Sequence, residues 1–198
     1  MSRKSIAHNE LLEAKRKLAS DMLNGTGTVL PSDWNLQDII PGGANDPVFS
    51  RALTLDDVLR MEWDYFEALV AAIWQKKGFR TVYRTPRQDE GVDVVAFTGN
   101  TGDLIQCKSS ATEDAALDSQ GVKDVMWGEA EYRLRHPGVN FSKWAATNQY
   151  FNETAVDSAR KNNVALLNQK DIETLLGQHP VTHGEVQRFL HAYWEDAA

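Results

Sequence analysis

Three polar side chains on two short runs of this sequence are of the types that metal-assisted hydrolysis uses. Asp93 lies within the run V-D-V-V-A-F, and Gln106 and Lys108 lie within the run L-I-Q-C-K. The intervening T-G-N-T-G is typical of a turn, so the two runs are predicted to form a β-hairpin. Because side chains alternate along a strand, Gln106 and Lys108 should share one face and Cys107 the other.

The register of this hairpin decides which side chains meet. A turn centred near Asn100 and Thr101 would place Asp93 opposite Lys108 and on the same face. A carboxylate, an amide and an ammonium would then converge across two adjacent strands. The opposite, apolar layer would receive the side chains of Val94, Ile105 and Cys107.

The predicted chemistry of this group is cleavage of a phosphodiester with the help of a divalent cation. Asp93 would supply a charged oxygen, Gln106 a neutral one and Cys107 its backbone carbonyl, and hard oxygen ligands with room for water suit Mg²⁺. The ion would acidify a water molecule and offset charge on the phosphate. Lys108 would orient that water or stabilise the charge that develops on the phosphate oxygens.

The alternative interpretation is a surface hairpin with a polar face. A carboxylate inside an apolar strand is costly without a partner, and this cost favours a functional site. Asp89 is the other candidate acid. It lies in the preceding loop, T-P-R-Q-D, rather than on the strand, so Asp93 is preferred.

The helix that precedes the first strand carries a further candidate acid. Thr54 with Asp57 is typical of a capped helix start, and Asp64 marks a second start. On the second helix, Glu67 has two interpretations that the spacing leaves open. Either it reaches back to the cap at Asp64, or its carboxylate contacts the water bound to the metal. The apolar side chains of this helix repeat at helical spacing: Phe66, Leu69, Val70, Ile73 and Trp74.

The rest of the chain alternates between predicted strands and predicted helices. This order indicates an α/β sandwich with a mixed sheet. The predicted strands are residues 79–84, 92–97, 104–109, 143–147 and 164–167. The predicted helices after the hairpin are residues 117–134, 152–161, 171–176 and 184–194.

Two domains are predicted, an N-terminal extension (residues 1–55) and an α/β domain (residues 56–198). The extension comprises an amphipathic helix over residues 6–23 and an irregular arm that holds Trp34, Ile39, Ile40 and Phe49. Such apolar surface must be buried, which leads to the hypothesis of a homo-oligomer, most simply a two-fold dimer to which the extension contributes. The alternative is that the arm folds back on its own domain.

Charge and composition narrow the class of protein. The chain has 198 residues, a net charge of −7 and a pI of about 5.2. These values argue against a protein that coats nucleic acid, but basic residues outnumber acidic ones over residues 76–108, as a local basic cleft would require. A single cysteine and the lack of an apolar N-terminal run predict a cytoplasmic location. No apolar run approaches the length of a membrane span.

The order of these features resembles the Mrr-like branch of the PD-(D/E)xK nucleases. The similarity runs from about Met61 to Leu176 and includes D-Y-F-E-A-L-V in the helix, D-E-G-V-D-V-V and I-Q-C-K in the hairpin, and A-A-T-N and V-A-L-L-N beyond it. It implies a restriction-endonuclease-like core, in which helices flank a mixed β-sheet.

The resemblance also implies metal-dependent cleavage of DNA, in restriction or anti-phage defence, with Mg²⁺ as the cofactor and Mn²⁺ able to substitute. It places the family's helix acid on Glu67, its strand aspartate on Asp93, and its Q-x-K on Gln106 and Lys108. Gln in place of Glu at position 106 removes one negative charge and favours a single metal ion. Asn148 falls on a position expected to be structural. Two alternatives stay open: a junction-resolving or repair nuclease for branched DNA, and a DNA-binding assembly subunit with a regulated nuclease core.

Overall fold

The computed structural model of the chain describes residues 50–86 and 91–190. These residues belong to one compact unit, Pro47–Ala198. Several predictions lie outside the described residues: the helix over residues 6–23, residues 24–49 of the arm, Asp89, and the end of the last helix near Trp194. None of the described helices is long and apolar enough to cross a membrane.

Two helices precede the first strand, as the two start signals predict. Helix α1 (Leu55–Leu59) begins at a capping box, in which the amide of Thr54 donates to the carboxylate of Asp57 at 2.8 Å. Helix α2 (Trp63–Lys76) has its N-cap at Glu62, two residues before the predicted cap at Asp64. Glu67 is therefore the fifth residue of α2, beyond the third position from which a side chain reaches back to cap a helix. Capping does not account for this acid.

The predicted hairpin forms next to a third antiparallel strand. Strand β1 (Thr81–Arg84) pairs with β2 (Val94–Thr98), and β2 pairs with β3 (Thr101–Lys108). The expected apolar layer is present, because one buried cluster contains Val94, Ile105 and Cys107.

The register of the hairpin corrects one prediction. The turn consists of Gly99 and Asn100, one residue earlier than expected, because Gly99 adopts a φ of +61° that glycine tolerates. The prediction that Asp93 lies opposite Lys108 is therefore wrong, and Asp93 lies beside Gln106 instead. This earlier turn changes the register by two residues, which leaves each side chain on its predicted face.

The segment after β3 corrects a second prediction. Strand β4 (Ala116–Leu117) occupies the start of the helix predicted for residues 117–134, and helix α3 (Gln120–Arg135) begins three residues later. The backbone of Leu117 is unavailable to a helix because its carbonyl accepts a hydrogen bond from the amide of Asn152 at 2.9 Å.

The second half of the sheet is parallel. Strand β5 (Asn140–Thr147) runs parallel to β3, and after β6 (Tyr150–Phe151), which pairs with β4, strand β7 (Val164–Leu167) runs parallel to β5. The five-stranded sheet has the order β1-β2-β3-β5-β7, so the predicted mixed α/β fold is confirmed. The remaining helices are α4 (Glu153–Asn162), α5 (Gln169–Gln178) and α6 (His183–Leu190).

Helices cover both faces of the sheet, and each face has its own buried cluster. One cluster joins the sheet to α2 and α6, and the other joins it to α3. Along β3, Ile105 and Cys107 belong to the first cluster and Leu104 to the second. By the alternation of side chains, Gln106 and Lys108 lie on the α3 side.

Candidate active site

Asp93 is held by hydrogen bonds from two successive residues of β3. Its Oδ2 accepts one from the backbone amide of Cys107 at 2.6 Å and one from Nε2 of Gln106 at 2.5 Å. Its backbone is fixed as well: the amide donates to the carbonyl of Ile105 at 2.9 Å, and the carbonyl accepts from the amide of Thr85 at 3.0 Å. The fold thus brings Asp93, Gln106 and Cys107 together, and it fixes the direction of the carboxylate.

Only the nitrogen of the side-chain amide of Gln106 forms hydrogen bonds with described residues. Its Nε2 donates both to Asp93 and to the backbone carbonyl of Cys107, at 3.1 Å. Its Oε1 is buried and accepts no hydrogen bond from any described residue. A buried amide oxygen without a donor costs free energy, so this arrangement calls for an explanation.

A cation would give this oxygen a partner. If the amide of Gln106 turns by half a rotation, Oε1 faces the carboxylate of Asp93 and the carbonyl of Cys107. Three oxygens in such proximity repel one another unless a positive charge lies among them. One carboxylate, one amide oxygen and one backbone carbonyl form the type of donor set that Mg²⁺ selects. The residues present therefore fit a divalent cation.

This donor set contains a single acidic side chain. Within residues 50–86 and 91–190, no group of three or more His, Cys, Asp or Glu side chains is placed to hold a metal ion. A cation at Asp93 would depend on the neutral oxygens of Gln106 and Cys107. Few negative charges favour weak binding in which the ion keeps several of its waters, as Mg²⁺ commonly does.

The electrostatic surroundings of Asp93 raise its pKa to about 7. Burial is the largest cause, and the negative charge of Glu67 is the next. The hydrogen bond from Cys107 and the charges of Lys108 and Arg84 lower the pKa and oppose this rise. A group that holds its proton near neutral pH has much to gain from a cation, because the ion favours the carboxylate form.

Glu67 lies on α2 and forms an ion pair with Arg84 at the end of β1. Its Oε2 is 2.6 Å from a guanidinium nitrogen of Arg84. The guanidinium is fully buried and also donates to the carbonyls of Phe189 and Leu190 at the end of α6. Arg84 thus fixes the side chain of Glu67 within electrostatic reach of Asp93.

Lys108 lies at the end of β3 and pairs with an acid from the neighbouring helix. Its Nζ is 2.9 Å from Oδ2 of Asp124 on α3. The side chain is still 39% exposed, so it is accessible to a large ligand. The four predicted site residues therefore gather at one end of the hairpin, two of them in direct contact and two held by ion pairs.

Neither Arg84 nor Asp124, the partners in these two ion pairs, was predicted from the sequence. Arg84 ends the run T-V-Y-R and carried no signal beyond its charge. Asp124 is separated from Lys108 by 15 residues and by a short strand. Asn148 is as expected for a structural residue: it is buried, and its side chain binds the amide and the carbonyl of Ser110.

Taken together, the five-stranded mixed sheet, the helices on both its faces and the hairpin that carries Asp93 define a restriction-endonuclease-like α/β domain. The family model Mrr_cat, described as a restriction endonuclease, matches residues 58–176, a range that contains all four candidate residues. Since this match covers well over half of the chain, the chain belongs to the Mrr_cat restriction endonuclease family.

Comparison with solved structures gives distant similarities. AF1548, a protein of unknown function, is 21% identical with a TM-score of 0.47, over 59% of this chain and 66% of that one. The modification-dependent restriction endonuclease AspBHI is 20% identical (TM-score 0.47; 84% and 50% of the two chains), and MspJI, solved with an oligonucleotide, is 15% identical (TM-score 0.43; 82% and 38%). The chain thus spans less than two thirds of the length of each structure. No curated protein matches it.

Proposed function

We propose that this chain is a Mg²⁺-dependent endonuclease that hydrolyses phosphodiester bonds of DNA, with Mn²⁺ able to replace Mg²⁺. The observation that carries the proposal is the cluster of Asp93, the half-satisfied amide of Gln106 and the carbonyl of Cys107. Membership of a restriction endonuclease family supports DNA as the substrate. The expected setting is restriction or anti-phage defence in the cytoplasm.

The roles of the residues follow from their chemistry. Asp93, Gln106 and the carbonyl of Cys107 would hold the ion, which supplies a Lewis acid and an acidified water when bound. Glu67, oriented by Arg84, would accept a hydrogen bond from that water and direct its oxygen. Lys108 would stabilise the negative charge that develops on the phosphate oxygens as the water adds.

The test is cleavage by the wild type and by Asp93→Ala. Plasmid DNA would be incubated with Mg²⁺, Mn²⁺ or EDTA, and nicked and linear products would be quantified. The wild type should cut with either metal and not with EDTA, whereas Asp93→Ala should not cut, because it lacks the one charged ligand. Asp157→Ala is the matched control, since Asp157 is an exposed acid on α4. Circular dichroism would show that each variant is folded, and undiminished cutting by folded Asp93→Ala would refute the site.

The kind of DNA is a second question for the same assay. Methylated, unmethylated and branched substrates of equal length would be compared under single-turnover conditions. The restriction role predicts that linear duplex is cut and that its modification state or sequence changes the rate. Cleavage confined to branched DNA would instead indicate a junction-resolving or repair nuclease.

We also infer that the active form is a homo-oligomer, most simply a dimer to which residues 1–55 contribute. Cutting both strands in one visit needs two sites, and the described residues contain one such cluster. A chain with a net charge of −7 also binds DNA poorly as a single copy at physiological salt. Light scattering on the full chain and on a form beginning at Thr54 would test this. A full chain that is monomeric at micromolar concentration and still makes double-strand breaks would refute it.

A further inference from the structure

We propose that Asp124 is a positioning residue for DNA cleavage: it holds the ammonium of Lys108 in place beside the Asp93 cluster. This inference rests on the proposed function, because that function gives Lys108 its task. It assigns a role to a residue of α3 that contributes no ligand to the cation.

The carboxylate of Asp124 is held in one orientation. One oxygen, Oδ2, is 2.9 Å from Nζ of Lys108. The other, Oδ1, accepts a hydrogen bond from Nε2 of Gln120 at 2.6 Å. Gln120 lies four residues earlier on α3, so the two side chains occupy neighbouring turns of one helix face. Because both oxygens are engaged, the carboxylate presents Oδ2 to Lys108 in one direction.

The side chain of Lys108 follows a defined path along the same turn of α3. Gly121 leaves the space through which Lys108 passes, since a Cβ at this position would lie 3.3 Å from Cγ of Lys108 and 3.9 Å from Cγ of Gln106. A lysine stem has four rotatable bonds and is otherwise free to sample many rotamers. The groove at Gly121 and the carboxylate of Asp124 together select one path.

Asp124 also contacts the segment that carries Asp93. Gly91 adopts a φ of +79°, and a Cβ there would lie 2.3 Å from the backbone oxygen of Asp124. The chain leading to Asp93 therefore contacts the backbone of Asp124 while the side chain of Asp124 contacts Lys108. One residue of α3 thus contacts the two sides of the proposed site.

The expected consequence is kinetic. A cation that is already in place need not be ordered when the phosphate reaches its transition state, and misplacement of such a group by about 1 Å can cost up to about a hundredfold in rate. Loss of Asp124 would leave Lys108 present but disordered. The effect should therefore fall on turnover, while metal binding and DNA binding persist.

The experiment measures single-turnover cleavage at saturating DNA and Mg²⁺ for the wild type, Asp124→Asn and Asp124→Glu. We expect Asp124→Asn to reduce the rate about tenfold, because a partly misplaced cation retains some of its effect. Asp124→Glu should recover part of the rate, because it restores the charge. Asp157→Asn is the matched control and should cleave at the wild-type rate. Mn²⁺ affinity, measured by calorimetry, should be the same in all four proteins.

A double variant separates positioning from a structural role. In Lys108→Ala, the further change Asp124→Asn should cost nothing, because Asp124 acts through the lysine. A tenfold loss in that background as well, or a wild-type rate in Asp124→Asn alone, would overturn the inference.

A readout that needs no cleavage keeps this inference distinct from the proposed function. Mass spectrometry after brief treatment with an amine-reactive reagent would report how accessible Lys108 is. Labelling of Lys108 should be several-fold faster in Asp124→Asn than in the wild type or in Asp157→Asn. Equal labelling in all three proteins would overturn the inference whatever the cleavage results, whereas equal cleavage by the wild type and Asp93→Ala would refute the proposed function on which it rests.

Discussion

Two ion pairs lie on either side of Asp93, and they differ in how much water reaches them. Glu67 and Arg84 are 12% and 0% exposed, whereas Asp124 and Lys108 are 17% and 39% exposed. In each pair, one member is a predicted site residue, and the other was not predicted from the sequence. The difference indicates that the first pair is part of the core and that the second is accessible to a substrate.

The burial of an ion pair determines how much stability is lost when one partner is removed. Removing one partner of a buried pair leaves an uncompensated charge away from water, whereas exposed pairs contribute little to stability. Both pairs lie near Asp93, but substitutions in them should therefore have different effects. A change in the buried pair should show first in the free energy of unfolding, and a change in the half-exposed pair should show first in the rate of cleavage.

The largest expected effect on stability is that of Arg84→Met. The variant removes the charge that Arg84 places beside Glu67 and the hydrogen bonds from Arg84 to the carbonyls of Phe189 and Leu190. We expect the free energy of unfolding in urea to fall by about 3–5 kcal/mol. Arg160→Met, in the exposed pair with Asp157, is the control and should change it by no more than about 0.5 kcal/mol. A loss from Arg84→Met as small as that of the control would mean that the two pairs do not differ in kind.

Lys108→Ala should lower the rate of cleavage strongly and the stability only slightly. Removing one electrostatic group that acts on the transition state typically lowers turnover by about 10²–10³-fold. Stability in urea should fall by less than about 1 kcal/mol, because the pair is half exposed. Mn²⁺ affinity, measured by calorimetry at about pH 9 so that Asp93 is ionised, should be nearly intact. A collapse of metal affinity would instead assign Lys108 to the structure of the site.

The two pairs should also move the pKa of Asp93 in opposite directions. Since Glu67 raises this pKa and Lys108 lowers it, Glu67→Gln should shift it below about 7 and Lys108→Met should shift it above. A proton on Asp93 competes with the cation, so Mn²⁺ affinity should fall about tenfold per pH unit below the pKa. Titrations of Mn²⁺ binding between pH 5 and about 9 would locate each midpoint. Shifts of the same sign in both variants would contradict this account.

The same pKa has a consequence for the metal-free protein. The pKa of Asp93 is raised from 3.8 to about 7 on folding. The stability linked to its proton is therefore fully present below pH 3.8 and is lost as the pH rises through about 7. Thermal unfolding in EDTA at pH 6 and about 8 should show a smaller loss of stability for Asp93→Asn than for the wild type.

The smallest effect concerns the groove for the lysine chain. Gly121→Ala places a Cβ 3.3 Å from Cγ of Lys108, so the chain must shift by a few tenths of an ångström. We expect turnover to fall about threefold, in proportion to this small displacement. Gly177→Ala is the matched control, because this glycine of α5 has open space around it. Its turnover should equal that of the wild type, and equal rates in both variants would show that the groove is not selective.

Local signals predicted much of the fold. The box of Thr54 and Asp57 is where the sequence placed a helix start, and Val164–Leu167 is a strand with the predicted bounds. Short-range chemistry decides such features, because a cap or an apolar run needs only its neighbours. The start of α5 at Gln169, two residues before the predicted start, depends on the side chain of Asn168, which accepts from the amides of Lys170 and Asp171.

The features that the sequence could not predict depend on distant contacts. The start of α3 moved because Leu117 pairs with a strand more than 30 residues away. Arg84 is buried although arginine is rarely so, and its partners include Glu67 on α2 and the last two residues of α6. Asp124 meets Lys108 because α3 packs on the parallel half of the sheet. The motif residues were visible in the sequence, but the residues that hold them were not.

Because Cys107 is buried, the rate at which its thiol is alkylated would report how often the sheet opens. It is the one cysteine in the chain, and its buried thiol lies on β3 between two candidate catalytic residues. Burial also raises the pKa of the thiol, so little thiolate is available for reaction in the closed state. Alkylation of this sulfur therefore requires β3 and α2 to separate. The rate of alkylation would show how often they separate. A bound metal ion would tie down the backbone of the same residue, so the rate of alkylation would measure how strongly metal binding suppresses local unfolding.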